Sequence, residues 1–229
     1  MKRFIFTLIA FVMVSVGVNA KEFHPYKVKS GKITYEKKKY SMHAKLHIDS
    51  NGNASGSRSY PSYVEEEVTY YWDNYGDVAY EVAYQASKFG GKPLPQKVKK
   101  HERLWKGDYR YYYDVKKNKV SADPYHIRRK CLKAGELYET SGWLAVMHPK
   151  ASIVVDESVA GKMVKHYKAS ESWDFYEWNR IILRDVHYST KKKNGEHKRF
   201  EPDRERIAVK VETDIKLDPT VFSPEWLQK

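Results

Sequence analysis

RIAVKVETDIKL, residues 206–217, alternates: Ile207, Val209, Val211, Ile215 and Leu217 share one face, while Lys210, Glu212, Asp214 and Lys216 share the other. A period of two marks a strand in a sheet with one buried and one wet face. Weaker versions recur at about 26–35, 40–48, 64–72, 77–84, 109–115, 159–168 and 173–188. The links between them are short and carry the chemistry of tight reversals: Asp73-Asn74-Tyr75-Gly76, Lys117-Asn118 and Asn194-Gly195. Such links join antiparallel neighbours. Residues 49–62 and 87–100 read as longer loops, and the lysine runs at 37–39, 99–100, 116–117 and 191–193 fall at predicted turns or loops.

The densest aromatic stretch, TYYWDNYGDVAYEVAY at 69–84, reads as a hairpin. With Asn74, Tyr75 and Gly76 as a three-residue loop, Trp72 faces Val78, Tyr70 faces Tyr80 and Val68 faces Val82. That register puts Tyr70, Trp72, Tyr80 and Tyr84 on one apolar side and Glu65, Glu67, Thr69, Asp77 and Glu81 on the other. The rings are then one side of a two-faced sheet, either packed core or the wall of a ligand site.

One segment breaks the pattern. After Asp123-Pro124, Ile127, Cys131, Ala134 and Tyr138 recur at the spacing of a helix face, with Ser141-Gly142 as the stop. This predicts an amphipathic helix over 124–140 inserted in a large antiparallel sheet, a mainly β (α+β) chain.

The chain opens with Lys2 and Arg3 ahead of an apolar run over 4–18 and a Val18-Asn19-Ala20 close, the build of a secretory signal peptide cleaved after Ala20. The expected mature chain is a single domain over 21–229, exported to the periplasm. Losing Lys2 and Arg3 leaves 40 basic against 29 acidic side chains, a formal charge of +11. A lone cysteine, Cys131, forms no internal disulfide and reads as a small buried hydrophobe.

The sequence carries no catalytic constellation. There is no HExxH, GxSxG, P-loop or dinucleotide fingerprint, and His43 and His47 merely share one side of a strand. The glutamates at 65–67 alternate faces and make no acid–base pair. No enzyme, cofactor or metal is expected. The positive charge favours anionic lipid or envelope polymer over nucleic acid for an exported chain.

The order of SGKITYE (30–36), YYWDNYGDVAYE, YYYDVKKNKV, VAGKMVKHYKA, WDFYEWNRIILR and a closing IKLDPTVFSPEW resembles that of periplasmic proteins of the lipoprotein-sorting type, the carriers and acceptors of lipoproteins. The resemblance implies a curved antiparallel sheet forming an open half-barrel, covered by one or a few helices over a hydrophobic cavity for acyl chains. The function then expected is non-enzymatic binding of a lipid, or of the acyl chain of a lipoprotein, on the concave face. Tyr70, Trp72, Tyr80 and Tyr84 would line the sheet side, and Ile127, Cys131, Ala134 and Tyr138 the helical lid. The alternative is an envelope interaction module with a packed core that engages anionic polymers through its basic turns.

Overall fold

The structure, a computed structural model, describes residues 24–41, 43–51, 54–59, 61–86, 88–89, 92–93, 97–124, 141–193 and 196–228. The expected signal peptide and the residues expected on a helix, Ile127, Cys131, Ala134 and Tyr138, lie outside the described residues. In chain order the first strands are β1 (Gly31–Tyr40), β2 (His43–Ile48), β3 (Ala54–Ser59), β4 (Ser62–Asp73), β5 (Val78–Gln85), β6 (Lys88–Phe89) and β7 (Lys92–Pro93). They continue as β8 (Lys99–Lys106), β9 (Tyr109–Asp114), β10 (Lys119–Pro124), β11 (Ser152–Val159), β12 (Lys162–Lys168), β13 (Trp173–Trp178), β14 (Ile181–Lys193) and β15 (Glu196–Thr213).

Eleven of these form one antiparallel sheet in the order β10-β9-β8-β5-β4-β1-β15-β14-β13-β12-β11. The order is two meanders of five strands laid on either side of β1. Among the described residues neither terminal strand, β10 or β11, has an outer partner, so the sheet is the open, curved one expected. Its curvature shows in Tyr35 on β1, whose hydroxyl reaches across β15 to donate to the Ile182 carbonyl of β14 at 2.9 Å. The β2–β3 and β6–β7 hairpins form separate two-stranded pieces.

The tight turns follow their sequences. Ala160 and Gly161 join β11 to β12 with φ of 48° and 73°, the mirror-image geometry that suits strand twist. Lys193 pairs with Glu196 across the predicted Asn194-Gly195 reversal. The expected single strand over 173–188 is instead two, because Asn179 and Arg180 reverse the chain with φ of 48° and 67°. No glycine marks that turn, and asparagine tolerates the left-handed region well enough to start it. The predicted loop at 87–100 contains the start of β8, and Lys37, Lys38 and Lys39 lie inside β1 instead of at a turn.

The aromatic hairpin forms in a different register. Trp72 lies opposite Ala79, Tyr70 opposite Glu81 and Val68 opposite Ala83. The loop has four residues, not three: Asn74, Tyr75 and Gly76 all take positive φ (48°, 56° and 91°) before Asp77 closes the turn. A one-residue slip moves every side chain of the second strand to the other face. Tyr80 and Tyr84 are therefore on the opposite side of the sheet from Tyr70 and Trp72, and Glu81 is on the same side as Tyr70.

Both sheet faces are covered, each by a different segment. On the concave face the short helix α1 (Gly142–Met147) seats Leu144 against Tyr167 and Phe175. Ser141, expected as a helix stop, starts this one: its side chain accepts from the Leu144 amide at 3.2 Å. On the convex face of β5, β8 and β9 the C-terminal residues 217–227 bring Phe222 and Trp226 onto Leu104, with Tyr80, Tyr111 and Tyr113 around them. A two-sided burial of this kind explains why β5 reads VAYEVAY, apolar at nearly every position.

An N-terminal strap ties the two meanders at one end. The Tyr26 amide donates to the Tyr75 carbonyl, the Tyr75 amide to the Lys29 carbonyl and the Lys27 amide to the Asn179 carbonyl. His24 stacks on Tyr75 with centroids 4.5 Å apart. Beside the strap, Trp72 is fully buried with its indole N–H donating to Val28 at 3.1 Å. A Cβ on Gly31 would stand 2.3 Å from the Trp72 ring, so a glycine is needed where β1 passes it.

Candidate functional site

The concave face holds a cavity of about 620 Å³, inside the range of small-molecule sites. Alternation along each strand supplies its floor. Trp105 and Arg103 project from β8, Ala79 and Glu81 from β5, Tyr70 from β4, Tyr35 and Lys37 from β1, Arg206 from β15, and Asp185 from β14. Phe175 and Trp173 of β13 continue the wall towards α1, and Pro25 and Tyr26 of the strap close one end.

Two kinds of surface meet here. The aromatic wall is ordered ring against ring: Tyr70 stands edge-on to Trp105 at 5.9 Å, and Trp173 stacks on Phe175 at 5.7 Å. The Tyr26 and Tyr70 hydroxyls share a hydrogen bond of 2.7 Å, so the two phenols satisfy each other in a low-dielectric site. Burial pushes the Tyr70 phenol well above its ordinary value, with Tyr26 adding to the rise, and it stays neutral.

The second surface is ionic and lies on the floor. The Arg103 guanidinium donates to Glu81 at 3.0 Å, with the His101 ring 3.3 Å from the same oxygen. Arg206 donates from Nε to Asp185 at 2.8 Å and lies over the Tyr35 ring at 4.9 Å. Burial alone would raise the Glu81 carboxyl, but the His101 hydrogen bond and the Arg103 charge outweigh it and hold it at about 2. For Arg206 the desolvation that would lower its pKa is overcome by Asp185, Tyr35 and Glu81, which raise it. The floor is thus a pair of salt bridges held charged, flanked by neutral rings. Arg204 and His187 continue the lining beside Arg206.

Of the residues expected to line the site, Tyr70 does so. Trp72 is on the same side of the sheet but is sealed behind Gly31 and the strap. Tyr80 and Tyr84 face away: Tyr80 donates to Glu102 on the convex side, where Trp226 Nε1 and Lys99 also bond the same carboxylate. The register slip accounts for both. Trp105, Phe175, Trp173 and the Arg103–Glu81 and Arg206–Asp185 pairs carry no local sequence signal that singles them out. Glu81 sits at an alternating position and was expected on the wet side for that reason.

Among the described residues no group of three or more histidine, cysteine, aspartate or glutamate side chains is placed to hold a metal ion. Nor is any helix among them long and apolar enough to cross a membrane.

No family model matches the chain, and no curated protein matches it. Among solved structures, MucB, crystallised in complex with MucA(peri), is similar over 88% of this chain and 53% of that one, with 11% identity and a TM-score of 0.35. The chain therefore spans about half the length of that protein, and a likeness so remote assigns it neither fold nor function.

Proposed function

We propose that this is an exported, non-enzymatic binding protein whose concave cavity holds a lipid-like amphiphile, in line with the lipoprotein-sorting resemblance. The observation that carries the reading is the cavity itself, with an aromatic wall of Tyr26, Tyr70, Trp105, Trp173 and Phe175 beside an ionic floor. The wall suits an apolar chain, since each buried methylene contributes about 0.8 kcal/mol. The floor suits a polar end, because Arg206 and Arg103 keep donors beyond the ones their carboxylates occupy. A purely hydrocarbon guest would leave those charges under-solvated.

Uptake of a fluorescent fatty acid tests the proposal. Trp105→Asp puts a carboxyl into the apolar wall and is expected to weaken uptake roughly thirtyfold, the effect of about 2 kcal/mol, while Trp105→Phe changes it little. Unchanged uptake by folded Trp105→Asp would defeat the cavity as the binding site. Mass spectrometry of organic extracts from the purified protein should also show a copurifying amphiphile.

A further inference from the structure

The four lysine runs are far apart in sequence, but the antiparallel topology brings them to one end of the sheet. β1 ends in Lys37, Lys38 and Lys39, whose partners are Arg204 to Arg206 on one side and Tyr63 to Glu66 on the other. β8 begins with Lys99 and Lys100, and Lys99 pairs with Tyr84 near the end of β5. The turn carrying Lys116 and Lys117 follows Asp114, which lies opposite His101. Lys191, Lys192 and Lys193 end β14, paired with Lys198, His197 and Glu196.

This end also has a distinctive shape. β14 and β15 run on past β13 and β1 as a two-stranded ribbon, and the β2–β3 and β6–β7 hairpins leave the same edge of the sheet. Three two-stranded pieces thus start from this end. Large apolar side chains are exposed among them: Ile48 at 60%, Phe200 at 48% and Val98 at 46%. The opposite end has the strap and short turns, in which Lys29 and Lys106 are mixed with Asp73, Asp77, Asp108 and Asp214; it too exposes Tyr109 and Met163, but it carries no run of lysines.

We propose that the ribbon end docks on the surface of an anionic lipid bilayer. Lys37, Lys99 and Lys117 pair with Glu66, Glu102 and Asp114, so Lys39, Lys100, Lys116 and the run at 191–193 supply most of the counter-charge to lipid phosphates, and the exposed apolar residues enter the headgroup layer. Charge without apolar contact would suit a soluble polyanion equally well. Ile48, Val98 and Phe200 standing among the cations favour a bilayer, whose boundary rewards both kinds of contact. Lys37, Lys38, Arg204 and His187 line the cavity as well, so its ribbon-end rim would face the membrane. The docking proposal stands whatever fills the cavity.

Vesicle flotation of the full chain tests it, comparing phosphatidylcholine alone with phosphatidylcholine containing roughly one-third phosphatidylglycerol. The wild type is expected to float only with the anionic vesicles, and less as salt is added. The triple variant Lys191→Ala, Lys192→Ala, Lys193→Ala should lose about a hundredfold in affinity, at roughly fivefold per lysine. The control triple Lys29→Ala, Lys106→Ala, Lys216→Ala removes the same charge from the opposite end and should bind like the wild type. No flotation of the wild type, or equal losses in the two triples, would overturn the proposal. So would a preference for heparin over anionic vesicles, which would point to a polymer. Fatty-acid uptake measured on the same ribbon variant should be unchanged, which separates docking from cavity binding.

Discussion

Glu81 carries the heaviest electrostatic load on the concave floor. It is almost completely buried, and its carboxylate is held by Arg103 and His101. Its carboxyl is held at about 2, below the roughly 4.3 of an unfolded glutamate, so the unfolded chain binds the proton first as pH falls. The stabilisation is complete above about 4.3 and is lost between there and about 2. Glu102 and Asp174 are shifted downwards too: burial raises each, and Lys99 and Arg199 respectively outweigh it. We therefore expect the thermal midpoint, followed by circular dichroism, to drop steeply over that acid range. Glu81→Gln should flatten the drop, and an unchanged slope would show that Glu81 is not a principal source of it.

The β14–β15 ribbon is the element most in need of an anchor, since past His187 and Arg204 no strand among the described residues pairs with it on either side. Arg199 provides one at its base. The guanidinium grips Asp174 of β13 at 2.7 and 2.8 Å, donates to the Ser170 and Glu171 carbonyls, and covers the Tyr188 ring at 4.0 Å. Asp174 is buried, with His166 at 3.3 Å and the Tyr188 hydroxyl as further partners. Arg199→Met would keep much of the ring contact but strand the carboxylate, at a cost of about 3 kcal/mol. Chemical denaturation should show that loss, and amide exchange should rise along the ribbon more than in β1. A loss under about 0.5 kcal/mol would mean that the fork adds little over solvent, His166 and Tyr188.

Across the molecule, the C-terminal residues and the helical connection have separate tasks. Phe222 and Trp226 finish the convex face of one meander, while Leu144 belongs to the concave face of the other. Trp226→Ala removes a buried ring and the Nε1 donor to Glu102, so about 3–5 kcal/mol of stability should go with it. Fatty-acid uptake per folded molecule should stay as it was, because none of the tail lines the cavity. Loss of uptake beyond the loss of folded protein would mean that the two faces are coupled through β5.

Local pattern alone was enough for the fold class, because side-chain alternation and tight-turn chemistry are written in neighbouring residues. The period of two in RIAVKVETDIKL and the reversal at Lys117-Asn118, where Asn118 takes a φ of 48°, are properties of a few residues each. Even there a limit showed: opposite Thr34 and Tyr35 the register of β15 shifts, and Val209, expected on the apolar face, is 49% exposed. Hairpin register was beyond local reading, since three successive left-handed residues at 74–76 are held by Tyr26 and Lys29 of a strap that is distant in sequence. That single step decided which tyrosines face the cavity and placed Glu81 inside it. The choice of neighbours was also tertiary: β1 lies between β4 and β15, and Tyr35 can reach β14 only because the sheet curves. What the sequence determined by itself was an antiparallel β chain with alternating faces and several runs of lysine. Tertiary structure decided which rings and ion pairs meet, and gathered the lysine runs at one end, because contacts between strands depend on pairing that no short stretch contains.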